Sequence, residues 1–264
     1  MSFRLLSYNI RHGGRGRERQ IAEVIASSRP DLVVFQEATR PEDIEAVPAR
    51  CAMAEWNALP RTSLGYMSLV PTRRHAWHRP RFSRHPFLEI HPGAVEFPVF
   101  GIHLSAVHAA WTERRRSFEL GRLLHAIRTH QHGFHVLAGD FNTLAPGELL
   151  DVRKLPHRLR ALVWLSGGRI RWRTIQRILN AGYVDAYRRL HPEEAGLTFP
   201  VWDPHVRLDY VFVPAGSAER LVACGVIRHP AAREASDHFP LLADIATAPG
   251  AVAAEAAVAA GPSA

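Results

Sequence analysis

Two stretches of this chain repeat one plan, and that repetition restricts the fold more than any other feature of the sequence. In the first, Phe3 to Tyr8 reads as a strand ending at Asn9. A helical segment with Ile21, Val24 and Ile25 on one face follows, and a strand from Leu32 to Phe35 then leads to Glu37. In the second, Val99 to Ile102 leads to His103, a helix from about Thr112 to His130 carries Leu120, Leu123, Leu124 and Ile127, and Phe134 to Ala138 leads to Asp140. Apolar residues spaced three and four apart mark the helices, and short continuous apolar runs rich in β-branched and aromatic residues mark buried strands. The two stretches share pattern, with little identity. Packed sheet against sheet, they would leave their helices outside and bring both sets of polar strand ends to one rim.

Six short polar strings stand beside apolar runs: Tyr8-Asn9-Ile10, Gln36-Glu37, His103-Leu104-Ser105, Gly139-Asp140-Phe141-Asn142, Arg207-Leu208-Asp209-Tyr210 and Ser236-Asp237-His238. Carboxylates, carboxamides and imidazoles are the groups that hold a hard divalent cation, orient a water and neutralise a phosphate. Each string alone is weak, since a Gln-Glu or Gly-Asp pair arises by chance in most chains of this size. Their order and their flanks make the case. Together they resemble the endonuclease/exonuclease/phosphatase family of metal-dependent phosphoesterases, from about Leu5 to Leu242.

The resemblance implies a four-layer α/β/β/α sandwich of the DNase I-like kind and hydrolysis of a phosphoester. It implies Glu37 as principal metal ligand, with Asn9 and Asp237 completing the set and Asn9 also meeting substrate. Magnesium is the expected ion, with manganese able to substitute, because few carboxylates and several waters suit it. By the same resemblance Asp140 orients or deprotonates the attacking water, and Asn142 holds that nucleophile and a phosphate oxygen. His238 stabilises developing charge on the phosphate, Asp209 orients His238, and His103 is a phosphate contact and general acid. Arg116 matches a place where the family often carries arginine, to meet substrate or to anchor the sheet, and Thr198, in the string Thr198-Phe199-Pro200, matches a substrate-side place.

Composition narrows the partner less than it first suggests. A formal charge of +8 and a pI near 10.4 point toward an anionic partner such as nucleic acid, an acidic membrane surface or a phosphorylated metabolite. Yet Lys154 is the only lysine, and an arginine bias of that kind also follows from genome composition. Cys51 and Cys224 lack metal-ligand spacing and read as free thiols. The start of the chain does not read as a signal peptide, and no apolar stretch reaches the ~18 residues of a membrane helix, so a cytoplasmic enzyme without stable membrane insertion is expected.

Residues 1–246 read as one domain and 247–264 as an Ala-rich mobile tail, with a basic helical insertion at about 148–191. In that insertion Arg169, Arg173 and Arg177 recur every four residues, as on one helix face, beside an apolar stripe of Trp172, Ile175, Ile178 and Leu179. A solvated helix face is favoured there over a phosphate-gripping wall. Prolines at 60, 71, 80, 86, 92 and 98 predict short edge strands joined by loops. Ser83-Arg84-His85-Pro86 resembles a remnant of the family's Ser-Arg string. Of the histidines without a motif, His12 and His205 lie nearest the site, while those such as His108 and His132 read as surface residues.

Which phosphoester is cut follows only by subtraction, because one fold serves many substrates. Repair endonucleases of abasic sites usually carry an acidic or amide residue soon after the first Asn and an Ala after Gly-Asp-x-Asn, where this chain has Arg11-His12 and Thr143. Lysine-rich inositol phosphatase signatures are not found, and the tryptophans form no clear membrane-binding hairpin. A nuclease-type phosphodiesterase is therefore the first reading. The alternatives are a phosphatase or phosphodiesterase acting on a small phosphorylated metabolite or lipid headgroup, and a non-catalytic binding protein on the same fold.

Overall fold

The computed structural model describes residues 1–106, 109–130, 133–167, 170 and 172–248. The expected tail beyond 248, Arg169, His108 and His132 lie outside the described residues. The chain runs β1 (Ser2–Asn9), α1 (Glu18–Ser28), β2 (Leu32–Gln36), α2 (Pro41–Ile44), β3 (Glu55–Ala58), β4 (Leu64–Ser68), β5 (Thr72–His78) and β6 (Phe87–Pro92). It continues through β7 (Val99–His103), α3 (Ala110–His130), β8 (Val136–Asp140), α4 (His157–Leu165), α5 (Thr174–Asn180), β9 (Tyr183–Asp185) and α6 (Ala186–Leu190). It ends in β10 (Asp209–Pro214), β11 (Leu221–Val226), α7 (Pro230–Ala235) and β12 (Leu241–Ala246).

The strands form two six-stranded sheets, ordered β11-β12-β1-β2-β4-β3 and β5-β6-β7-β8-β10-β9. In each, one central parallel pair, β1/β2 or β7/β8, is flanked on both sides by antiparallel partners. A parallel pair needs a crossover, and α1 and α3 supply the two. These are the two strand-helix-strand units of the sequence, now in matching positions of two sheets.

Three apolar layers hold the sandwich. Between the sheets lie Leu5, Val34, Leu88, Val99, Val136 and Val211, all fully buried. Outside the first sheet, Ile21, Val24 and Ile25 of α1 pack with Ala232 and Ala235 of α7 on Leu6, Val33 and Phe35. Outside the second, Leu120, Leu123 and Ile127 of α3 and Ile175 and Ile178 of α5 cover Phe100, Leu137 and Phe212. Alternation along each strand sends successive side chains to opposite layers, so continuous apolar runs are what strands buried on both faces require. The result is the expected α/β/β/α sandwich.

Two expectations change. β4 and β6, inside the proline-rich stretch, are interior strands, and only β5 is an edge. The prolines stand at strand ends, Pro86 just before β6 and Pro92 at its last residue, where a missing N–H costs the ladder little. The arginine periodicity does not run along one helix: α4 stops at Leu165, and α5 begins at Thr174 with Arg173 preceding it and Arg177 inside it. Two buried ion pairs tie this insertion to the core, Arg207 reaching Glu148 at 2.7 Å and Asp185 at 2.6 Å.

Candidate active site

Register alone brings much of the site together. Asn9 stands opposite Gln36 at the end of the β1/β2 pair, and His103 opposite Asp140 at the end of β7/β8. On the other side of β8, Asp140 faces Asp209, the first residue of β10. One row across the second sheet therefore reads His103, Asp140, Asp209. Gly139 makes this approach possible, since a Cβ there would fall 1.8 Å from the carbonyl oxygen of Ile102.

The buried side chains form a connected network. Asn9 Nδ2 donates to Asp140 Oδ2 at 3.0 Å and, at 3.4 Å, to Glu37 Oε1, bridging the two sheets. Asn142 donates its backbone N–H to Asp140 Oδ1 at 2.8 Å and its Nδ2 to Asp140 Oδ2 and to the Leu104 carbonyl, both at 3.0 Å. His238 pairs through Nδ1 with Asp209 Oδ2 at 2.9 Å, and its ring lies 4.7 Å from that of Phe199. The Nε2 atoms of His103 and of His238 each face Asp140 Oδ2 at 3.9 Å. That is too long for a hydrogen bond and leaves a gap bordered by a carboxylate and two imidazoles.

Glu37 is different in kind. Its carboxylate is about a quarter exposed, at 27%, and accepts the His12 N–H at 2.6 Å. The Asp237 carboxylate is 19% exposed and stands 3.5 Å from Arg11 Nε. Arg11, His12, Glu37 and Asn142 all have φ near +50°, an unfavourable conformation for non-glycine residues that tends to gather at functional sites.

Burial sets the proton chemistry. Asp140 is pushed up to about 7 by burial, with Asp209 adding to the rise and His238 opposing it. Burial alone would lower His238, but the negative charges of Asp209 and Asp140 outweigh it and lift the imidazole to about 10. His103 is lowered to about 3 by burial, with His85 and His238 contributing, so it is neutral near pH 7. A neutral imidazole suits the phosphate contact expected of His103 better than the general-acid role.

Arg116 and Thr198, both expected on the substrate side, turn into the interior, and for Arg116 this favours the anchoring role. Arg116 is wholly buried, pairing with Glu113 at 3.1 Å and donating to the Ser105 carbonyl at 2.7 Å. It props the segment after His103 from beneath. Thr198 is equally buried, its hydroxyl accepting the Leu208 N–H at 3.1 Å, which fixes the approach to Asp209. Ser236 and Phe199 lie within quoted strings but carry no expected role: the Ser236 hydroxyl donates to the Asn9 carbonyl at 2.6 Å, and the Phe199 ring lies against His238. His85, 5.8 Å from the His103 ring, lay in a string that had been noted for other reasons. His12 does reach the rim, while His205 turns to Asp203.

The ligand atoms of Asp140, Asp209 and His238 lie within 4.8 Å of one another, close enough for one cation. Two of them are already spent on each other, and a histidine raised to about 10 resists the deprotonation that metal ligation needs. Glu37 fits a hard cation better, being an accessible oxygen donor next to the Asn9 carboxamide.

A sheet-on-sheet sandwich with such a rim defines the class of DNase I-like phosphoesterases. The chain belongs to the Endonuclease/Exonuclease/phosphatase family, whose model matches residues 6–238. Membership places it among metal-dependent phosphoester hydrolases. Solved structures with the same fold include an AP endonuclease from Archaeoglobus fulgidus, at 20% identity and a TM-score of 0.70, covering 92% of this chain and 99% of that one. The 3' phosphatase NExo from Neisseria bound to product DNA hairpin gives the same four values. A humanized D. rerio TDP2 matches at 18% identity and a TM-score of 0.65, covering 93% and 99%. No curated protein matches the sequence.

Proposed function

We propose that residues 1–246 form a magnesium-dependent phosphodiesterase of nuclease type that cuts the backbone of a nucleic acid. The observation that carries the reading is the meeting of Asn9, Asp140, Asn142, Asp209 and His238 in one buried network beside the open carboxylate of Glu37. Proteins of similar fold include an AP endonuclease and a 3' phosphatase bound to product DNA hairpin, which supports nucleic acid as the substrate class. No described helix is long and apolar enough to cross a membrane, and two free cysteines suit a reducing cytoplasm.

Glu37 would hold the ion, with Asn9 and Asp237 next to it. When bound, magnesium offsets negative charge on the phosphate and its leaving oxygen. The protein's own groups do the rest. Asp140, balanced near neutrality, takes the proton of the attacking water at Oδ2, where the Asn142 amide keeps that oxygen in place. His238 stays charged because Asp209 holds Nδ1, leaving Nε2–H to face the oxygens on which charge accumulates. His103, kept neutral, contributes a hydrogen bond and no charge.

The test is a panel of phosphoesters, including plasmid DNA, RNA, a chromogenic diester, sphingomyelin and inositol phosphates, each with magnesium and with chelator. Chelator-sensitive cleavage of DNA or RNA, with apparent affinity falling steeply as salt rises, is the expected result. Cleavage confined to sphingomyelin or inositol phosphates would replace the nuclease reading with the small-headgroup one.

A further inference from the structure

The turn between β5 and β6 carries chemistry that the site network does not use. Its sequence is Arg79-Pro80-Arg81-Phe82-Ser83-Arg84-His85. Phe82 is 78% exposed, unusual for so large an apolar side chain, and the Arg81 guanidinium sits 4.9 Å from its ring centroid. The turn is fixed in place. The Ser83 N–H reaches the Pro80 carbonyl at 2.9 Å, the Ser83 hydroxyl the His85 carbonyl at 2.7 Å, and the Arg84 N–H the Glu119 carboxylate of α3 at 2.9 Å.

This turn borders the reaction centre. His85 lies 5.8 Å from the His103 ring, and His103 in turn faces Asp140 at 3.9 Å. Arg79, Arg84 and Arg115 are close enough to His85 to help depress its proton affinity, beyond the larger effect of burial. These three arginines and Arg81 are exposed, and none of the four makes an ion pair among the described residues. Three other arginines of the site region are held in ion pairs: Arg11 with Asp237, Arg116 with Glu113, and Arg207 with Glu148 and Asp185.

We propose that Phe82 is a base-stacking platform inside an arginine collar, holding the nucleotide next to the scissile phosphate of a single-stranded nucleic acid. The inference rests on the nuclease reading above and specifies its substrate. An exposed ring stacks on any base face, and unpaired guanidiniums on both sides match a backbone that carries one charge per nucleotide. The pinned turn presents the ring without further ordering, which is what a positioning element needs.

The test compares kcat/KM for a single-stranded oligonucleotide with kcat/KM for a chromogenic diester in wild type, Phe82→Ala and Phe82→Trp. The oligonucleotide-to-diester ratio should fall about tenfold in Phe82→Ala, mainly through KM, and return in Phe82→Trp. In an Asp140→Ala background, an oligonucleotide carrying 2-aminopurine beside the cleavage position should lose fluorescence on binding, and Phe82→Ala should abolish that quenching. Oligonucleotide cleavage with an unchanged ratio and unchanged quenching would overturn the platform and leave the nuclease reading intact. If wild type cleaves no nucleic acid, the nuclease reading itself fails. In that case, Phe82-dependent binding to phosphatidylserine vesicles would assign the turn to a lipid surface and overturn this proposal as well.

Discussion

The two strand-helix-strand units deliver polar residues to one rim, yet they deliver them into different surroundings. The second unit ends in His103 and Asp140, both buried, with proton affinities displaced by several units in opposite directions. The first ends in Asn9 and Glu37, and Glu37 remains open to solvent. A buried carboxyl can exchange a proton near neutrality, whereas an open carboxylate stays charged and can hold a cation. The two halves thus share geometry, and on the function proposed above they divide the chemistry.

The largest expected effect lies beneath the second half. Arg116→Ala strands the Glu113 carboxylate, which also accepts from Thr143, Arg173 and Thr174, and should lower stability by about 3–5 kcal/mol in a denaturant titration. A loss below ~1 kcal/mol would mean that the buried pair is not what holds the His103–Ser105 segment. Next comes the reaction. Asp140→Ala should reduce kcat about 10²-fold, near 3 kcal/mol, while its melting curve stays cooperative.

The first half should respond differently. Glu37→Gln is expected to raise the magnesium concentration needed for half-maximal rate by about tenfold, with a smaller change in the rate at saturating metal. Equal metal dependence in Glu37→Gln and wild type would erase the proposed division of labour. The last expected effect is a slope and concerns acid stability. His103 binds a proton in the unfolded chain near pH 6.5 but in the folded one only near 3, so the unfolded state takes up more protons between those values. Stability therefore falls as pH drops through that window, and His103→Gln should flatten that fall in denaturant titrations run across it.

The division into halves was readable from sequence because periodicity reports burial. Runs such as Leu32-Val33-Val34-Phe35 fit only strands covered on both faces, and each run placed its polar terminus at a strand end. What periodicity cannot report is which way a polar residue turns. Arg116 and Thr198 match positions of the resemblance, yet both point into the interior, where Glu113 and the Leu208 N–H claim them. Proline spacing suggested edges because it shows where a strand stops and says nothing about what lies beside it. β4 and β6 are bounded by such stops and still paired on both sides. The four-residue arginine spacing failed for a similar reason, since the break between α4 and α5 falls within it. His85 and Phe199 reach the site only through tertiary packing, His85 from a string noted for another resemblance and Phe199 from one assigned to substrate through Thr198.

The central claim is that the rim joining these halves hydrolyses phosphoesters with a metal. It is tested most directly by following a chromogenic phosphodiester in wild type and Asp140→Ala, with magnesium and with chelator. The account predicts turnover that vanishes with chelator and drops about 10²-fold in the variant. Turnover that survives chelation, or an Asp140→Ala enzyme as fast as its parent, would contradict it.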